Sequence, residues 1–225
     1  VGFLSALAVH LQNEYNLSSE NTFASGMSNG AEMSYMLSCF ASETFKAIAP
    51  VAGTMFGESW TDCMSEPKPV LEIHGTNDNV TLWDGAPNDT YWGPYPGTEE
   101  VIDYWADLNG CNSNENLLLP NFNTIKHRYY DCIDDIEVWL YEVVNGGHDW
   151  PTYASQEIWN FFANFIDSIN GDLNVDGSIN ILDVIILVNH ILSPATVELD
   201  GSDINNDGQV NVLDVVALVN IIIGG

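Results

Sequence analysis

"FASGMSNGAEMSYM" occupies residues 23–36 and places Ser28 at the centre of Gly26-x-Ser28-x-Gly30. At average usage of glycine and serine, a chain of this length shows such a pattern by chance roughly one time in ten, so its surroundings have to decide its meaning. "NTFA" (21–24) is a short strand candidate, and "NGAEMSYMLSCF" (29–40) spaces Met33, Met36, Leu37 and Phe40 along one helical face. A serine on a turn between a strand and a helix is the geometry of a nucleophile elbow. The glycines allow a tight turn and close backbone approach, and the helix amino end lies behind the hydroxyl. The Asn29 amide, next after the serine, is then a candidate oxyanion donor.

Further along, "KAIAPVAG" (46–53) and "KPVLEIHG" (68–75) are apolar runs bounded by Pro and Gly, as in buried parallel strands. "KHRYYDC" (126–132) and "IEVWLYEVV" (136–144) read as further strands. "TEEVIDYWADLNG" (98–110) reads as a helix with a Thr98 cap and a stop at Gly110, and "SQEIWNFFANFIDSI" (155–169) as a helix capped by Ser155. Strands alternating with helices predict an α/β fold with a mainly parallel sheet. The boundary falls near 170–171, giving domains 1–170 and 171–225.

An elbow of this class needs an acid and then a histidine, in that chain order. "LEIHGTNDNV" (71–80) ends a strand candidate at His74-Gly75 and delivers Asp78 on the following loop. "NGGHDWP" (145–151) sets His148 after two glycines, at the end of the last strand candidate. Catalytic groups sit at the carboxyl ends of such strands. Ser28 would attack an acyl carbon, His148 would take its proton, and Asp78 would fix the imidazole tautomer. Asp84 and Asp149 are alternative acids and His74 is a rival base, whereas His10, His127 and His190 sit in helix or strand contexts that favour structural roles.

"GMSNG", "HGTND" and "GGHDWP", in that order over about residues 1–169, resemble the secreted polyhydroxybutyrate depolymerase and carbohydrate-esterase-type feruloyl esterase family of α/β-hydrolases. The resemblance implies cleavage of esters of hydroxy acids or of plant cell-wall phenolics, with Ser28, Asp78 and His148 as the triad and His74 outside it. In that family several strands precede the elbow, and one of them leads to the loop with the second oxyanion donor. Here 27 residues precede Ser28 and "VGFLSALAVHLQNEYNLS" reads as one helix. The chain therefore reads as lacking the early strands, and these residues alone are expected to turn over esters weakly or not at all.

Acidic residues dominate, with 32 Asp plus Glu against 4 Lys plus Arg and a net charge of −28. That balance repels nucleic acid and anionic membranes and favours cations or salt. Apolar runs are too short to span a bilayer, and no signal peptide is visible. Cys39, Cys63, Cys111 and Cys132 fit no zinc spacing and allow three disulfide pairings, or four free thiols. Pairing the neighbours in sequence, Cys39–Cys63 and Cys111–Cys132, is favoured, and the family resemblance supports it. Disulfides would imply an oxidising, extracellular compartment. "LWDGAPNDTYWGPYPG" (82–97) reads as a long aromatic loop near the acid. It is either a wall for the acyl group or a self-packed surface loop. Trp83, Trp92 and Trp150 are the substrate-binding candidates.

The second part is an internal repeat: "DLNVDGSINILDVIILVNHIL" (172–192) and "DINNDGQVNVLDVVALVNIII" (203–223) agree at 12 of 21 positions. Each copy carries D-x-N-x-D-G-x-x-N-x-x-D. Calcium takes six to eight oxygens from such a loop, at positions 1, 3, 5, 7, 9 and 12. The ligand candidates are Asp172, Asn174, Asp176, Ser178, Asn180 and Asp183, then Asp203, Asn205, Asp207, Gln209, Asn211 and Asp214, for two Ca2+ ions. Gly177 and Gly208 supply the turn at position 6. No helix is evident ahead of either loop, and position 12 is Asp. The unit thus resembles a type I dockerin, a small all-α EF-hand-like module that docks enzymes onto cohesin domains. Ile181-Leu182, Val212-Leu213, Asn189 and Asn220 stand where well-studied dockerins carry hydroxyl and basic residues, which leaves the cohesin-like partner open.

The combined reading is a secreted serine esterase acting on feruloyl or acetyl esters of polysaccharides, with a calcium-binding docking tail and no catalytic cofactor. The alternatives are a polyhydroxyalkanoate depolymerase and, from another class, a non-catalytic calcium-dependent binding module with a remnant hydrolase half.

Overall fold

The computed structural model describes residues 1–15, 17–120, 122–166, 170–174, 177–193, 199 and 201–224. Two compact units divide the chain: Val1–Gln12 with Ser19–Ile166, and Asn13–Ser18 with Asp167–Gly225. A leading helix α1, Gly2–Tyr15, precedes the first strand.

The first unit is built on β1 (Phe23–Met27), β2 (Ala47–Val51), β3 (Val70–Gly75), β4 (Ser113–Leu118), β5 (Thr124–Tyr130) and β6 (Val138–Val143). They form one six-stranded sheet in the order β1-β2-β3-β6-β5-β4. The pairings from β1 through β2 and β3 to β6 are parallel, whereas β5 lies antiparallel to β6 and β4 antiparallel to β5. Every residue of β2 and β3 is buried, which is why β2 is continuously apolar instead of alternating, whereas β3 buries Glu72 and His74 among its apolar residues.

The pleat sends alternate residues to opposite faces. Ile48, Val70, Val138 and Leu140 pack with Tyr35 and Leu37 of helix α2 (Asn29–Phe40) and, beyond the short α3 (Glu58–Thr61), with Ile102 and Trp105 of α4 (Thr98–Leu108). Ala47, Ala49, Leu71, Ile73 and Tyr141 pack instead against Ile158, Phe161 and Phe162 of α5 (Ala154–Ala163). The sheet is thus sandwiched between helices, and the small alanines of β2 make room for the aromatic side chains of α5.

Four local expectations change. β1 continues to Met27, past the expected 21–24, so the strand delivers Ser28 without an intervening loop. β4 was not expected. Its "SNENLL" sequence is polar because it is an edge strand with mostly exposed side chains. Thr98 is the first helical residue, not the cap, and Gly97 holds the N-cap position without a side-chain bond. Ser155 likewise lies inside α5, whose N-cap is Tyr153 and which ends at Ala163. The expected extension over 167–169 lies outside the described residues.

Disulfides join Cys39 to Cys63 and Cys111 to Cys132, the pairs nearest in sequence. The first ties α2 to the segment after α3, and the second ties the end of α4 to the segment after β5. Replacing the Cys39–Cys63 pair by serines is expected to cost about 3 kcal/mol, the loop-entropy value for a span of this size. Denaturant unfolding of oxidised wild type against the double variant measures it.

In the second unit, α6 (Ile181–Leu192) and α7 (Val212–Gly224) pack through Val184, Leu187 and Leu218, with Leu173 and Ile204 from the two loops completing the cluster. No described helix is long and apolar enough to cross a membrane.

Candidate active site

Ser28 sits at the N-cap of α2 with φ 56 and ψ −120. A non-glycine residue is seldom held there, and such strain concentrates at functional sites. Its hydroxyl does not cap the helix, so it remains available for chemistry. Its amide is anchored by Val51 O at 2.9 Å, at the end of β2. The glycines have steric causes: a Cβ on Gly26 would lie 2.7 Å from the Gly30 backbone, and one on Gly53 would meet the Ala31 Cβ at 2.3 Å and Ser28 O at 3.2 Å. Gly53, which the sequence did not single out, therefore lets the end of β2 close against the elbow. Asn29 opens α2 and is exposed, so its amide is one of the helix donors without an intrahelical acceptor.

Asp78 is buried on the loop after β3. Its Oδ1 accepts the amides of Val80 and Thr81 at 2.8 and 2.9 Å, and its Oδ2 faces His148 Nδ1 at 2.8 Å. His148 follows β6 on the Gly146-Gly147 turn. The acid loop and the histidine loop are joined backbone to backbone: Asn77 N donates to Gly146 O at 2.8 Å, and Thr76 N donates to Val143 O at 3.0 Å. Gly75 makes this possible, since a Cβ there would lie 2.3 Å from Gly146 O. Gly75→Ala is expected to cost about 1–3 kcal/mol as overpacking and, by shifting His148, to lower turnover on the order of 10²-fold. Thermal unfolding and steady-state rates on the same variant read both effects.

His148 also stands near the elbow helix. Burial pushes the Glu32 carboxyl in the first turn of α2 up, and the His148 charge pulls it part of the way back. Glu32 N in turn donates to Ser28 O at 3.0 Å. With Nδ1 occupied by Asp78, Nε2 is the nitrogen left to receive a proton. Of the alternative acids, Asp84 is exposed and lines a separate cleft, and Asp149 is exposed.

The tryptophan candidates diverge. Trp83 is half-buried and packs against the core, edge-on to His74 at 6.0 Å. Trp150 donates from Nε1 to Ser155 Oγ at 3.2 Å. Trp92 is 60% exposed and lines a cleft of about 440 Å³ together with Trp60, Tyr95, Asp84 and Glu100. Trp60 was not legible as a site residue, because it joins the cleft from α3, over thirty positions away. Thr54 Oγ1 donates to Pro96 O of the cleft wall at 3.2 Å, next to the Gly53 that packs on the elbow.

The two repeat loops share one internal design. Asp183 accepts Leu173 N and Asn174 N on Oδ1 and Asn180 N on Oδ2, and Asp214 accepts Asn205 N and Asn211 N in the same way. Both carboxylates are fully buried. Asn180 and Asn211 accept the amides of Leu182 and Leu213, so they cap the helices, and they donate to Ser178 O and Gln209 O. Asp172 Oδ2 accepts Gly177 N, and Asp203 and Asn205 receive Asp207 N while Asp207 receives Gln209 N. Gly177 and Gly208, at φ 84 and 81, make the sharp turn. Asp176 lies outside the described residues. Among the described residues no three His, Cys, Asp or Glu groups converge as a metal centre. An all-oxygen donor set with buried carboxylates fits a hard cation such as calcium.

Residues 170–223 match the family model of the dockerin type I domain. The chain is 26% identical over 170 residues to "Probable feruloyl esterase C" of Aspergillus niger, covering 72% of this chain and 57% of the relative. It is 29% identical over 132 residues to "Feruloyl esterase B" of Piromyces equi, covering 56% of this chain and 24% of that one. The structure of "Acetyl xylan esterase from Aspergillus awamori" superposes with a TM-score of 0.52 at 15% identity, covering 72% of this chain and 66% of that one. The chain thus spans little more than half the length of the first of these curated relatives and a quarter of the second. The structural likeness is one of fold.

Proposed function

We propose that this chain, which joins an esterase-like α/β-hydrolase fold to a type I dockerin domain, is a secreted serine esterase that cleaves feruloyl or acetyl groups from polysaccharides. The observation that carries the reading is the Asp78–His148 pair at 2.8 Å, together with a serine held at φ 56 and ψ −120 on the elbow of α2. The feruloyl esterase relatives support the substrate class. The domains we assign are 1–170 for the hydrolase and 171–225 for the dockerin.

Ser28 Oγ attacks the acyl carbon as His148 Nε2 takes its proton. Asp78 accepts from Nδ1–H, which fixes the tautomer and offsets the charge of the imidazolium. The Asn29 amide and the amino end of α2 stabilise the oxyanion. On collapse of the tetrahedral intermediate, His148 returns the proton to the departing sugar oxygen and an acyl-Ser28 ester remains. Water, deprotonated by His148, then releases the carboxylic acid and restores the serine.

The exposed ring of Trp92, with Trp60, offers apolar faces to a sugar ring, and Asp84 and Glu100 accept its hydroxyls. In the dockerin, Asp172, Asn174, Asp176, Ser178 and Asp183, with their counterparts Asp203, Asn205, Asp207, Gln209 and Asp214, would hold two calcium ions, with Asn180 and Asn211 capping the helices. Calcium would supply folding free energy for the docking surface offered to a cohesin-like partner.

Assay on methyl ferulate, a nitrophenyl acetate and a hydroxybutyrate oligomer tests the substrate class. The first two are expected to be hydrolysed, at rates lost in His148→Gln. Preference for the hydroxybutyrate oligomer would move the protein to polyester chemistry, and no turnover of any ester would favour a binding protein.

A further inference from the structure

Behind Asp78 lies a second buried acid–histidine pair that the reaction above does not use. Glu72 and His74 project from β3, each 1% exposed. His74 Nδ1 meets Glu72 Oε1 at 2.9 Å, and Nε2 meets Thr81 O at 2.9 Å and Asp78 Oδ2 at 3.5 Å. Every group facing the ring nitrogens is thus an oxygen that accepts. Glu72 also takes the Tyr35 hydroxyl on Oε2 at 2.8 Å and a long contact from Gly53 N on Oε1 at 3.5 Å. Its oxygens are met by donors, as an ionised carboxylate requires; burial pushes the Glu72 carboxyl up, and the bonds and charge of His74 with the bonds of Tyr35 and Gly53 pull it part of the way back. From the neighbouring strand, Glu142 is the register partner of His74, but it is engaged by His127 at 2.8 Å. Trp83 closes the last side with its ring edge-on.

We infer that His74 is a buried imidazolium, clamped by Glu72, and that it acts as the positioning residue for Asp78. It bonds the Thr81 carbonyl from one side of the acid loop while Asp78 Oδ1 binds the Thr81 amide from the other. Its charge faces the same Oδ2 that receives His148. A string therefore runs Tyr35, Glu72, His74, Asp78, His148, with alternating charge from Glu72 to Asp78. Burial opposes protonation of His74, yet the hydrogen bonds and charges of Glu72, Thr81 and Asp78 outweigh it and hold its pKa above the ordinary value. The sign follows: the folded protein keeps a proton that the unfolded chain releases above about pH 6.5. The contribution of the His74 proton to stability is complete below that value and is lost as pH rises through its folded pKa.

The inference adds a residue to the proposed esterase site, but its primary test does not depend on ester turnover. In the 15N-histidine-labelled 225-residue protein, His74 is assigned by elimination, using single Gln variants of His10, His127, His148 and His190. Both of its ring nitrogens are expected to keep imidazolium shifts as pH passes above the ordinary histidine value of about 6.5. Conversion to a neutral tautomer at or below that value would overturn the proposal. The second arm is Glu72→Gln, assayed on the ester the protein turns over best. Loss of the facing positive charge is expected to move the acid limb of kcat/KM to higher pH and to lower kcat with KM unchanged, because neither residue touches substrate. Tyr35→Phe, which deletes one bond to Glu72 and keeps the ring, is expected to move the limb the same way by less. An acid limb that stays put in a folded variant contradicts the positioning role.

Discussion

Ser28→Ala is expected to lower hydrolysis of methyl ferulate by at least about 10³-fold, the range for loss of a hydrolase nucleophile, while leaving the fold intact. The site explains the separation of the two effects. The serine hydroxyl does not cap α2, so alanine removes no structural hydrogen bond from the helix. Its amide still donates to Val51 O and its carbonyl still accepts from Ala31 N and Glu32 N. Alanine must still adopt φ 56, ψ −120, but serine already bears that strain, so the change in stability is small beside the change in rate. The measurement is turnover by the longest expressible form of the protein, alongside thermal unfolding. A Ser28→Ala protein that hydrolyses the ester at an undiminished rate would remove the elbow from the mechanism.

Withdrawal of calcium is the second large effect. With chelator, α6 and α7 are expected to lose their helical structure, and far-ultraviolet ellipticity should fall by about a third, their share of the chain's described helical residues. The cause is electrostatic. Asp172, Asp183, Asp203, Asp207 and Asp214 crowd two short loops with no lysine or arginine in either copy of the repeat, and the helices themselves are too apolar to persist alone. Their shared core is small, centred on Leu187 and Leu218. The first unit, held by two disulfides and a six-stranded sheet, should keep its near-ultraviolet signal. Addition of calcium restores the loss. Ellipticity that ignores both chelator and calcium would mean that the backbone bonds to Asp183 and Asp214 suffice to hold the loops.

Much of this architecture is written locally. Gly26 and Gly75 mark places where backbones meet at distances no Cβ tolerates, and glycine is a residue type that can be read in sequence. The apolar run of β2 signalled a strand buried on both faces, and the repeat exposed both acidic loops by comparison with itself. What stayed hidden depends on tertiary context. β4 is polar because one neighbour, β5, is enough for an edge. Thr98 and Ser155 have the right side chains for caps, yet packing moves the caps one residue earlier to Gly97 and two residues earlier to Tyr153. The Tyr35–Glu72 bond spans 37 positions, and Trp60 reaches the cleft of Trp92 from a different segment. No short window contains either contact. Gly53 is legible only afterwards, when the position it packs against is known.

The most direct test of the central claim is covalent labelling with a fluorophosphonate, which captures an activated serine even where turnover is slow. Intact mass and peptide mapping are expected to show one adduct per chain, on the peptide that holds Ser28, absent from Ser28→Ala and slowed in His148→Gln and Asp78→Asn. Labelling spread over several serines, or no adduct at Ser28 in the folded, calcium-loaded protein, would contradict the assignment of Ser28, Asp78 and His148 as a catalytic unit.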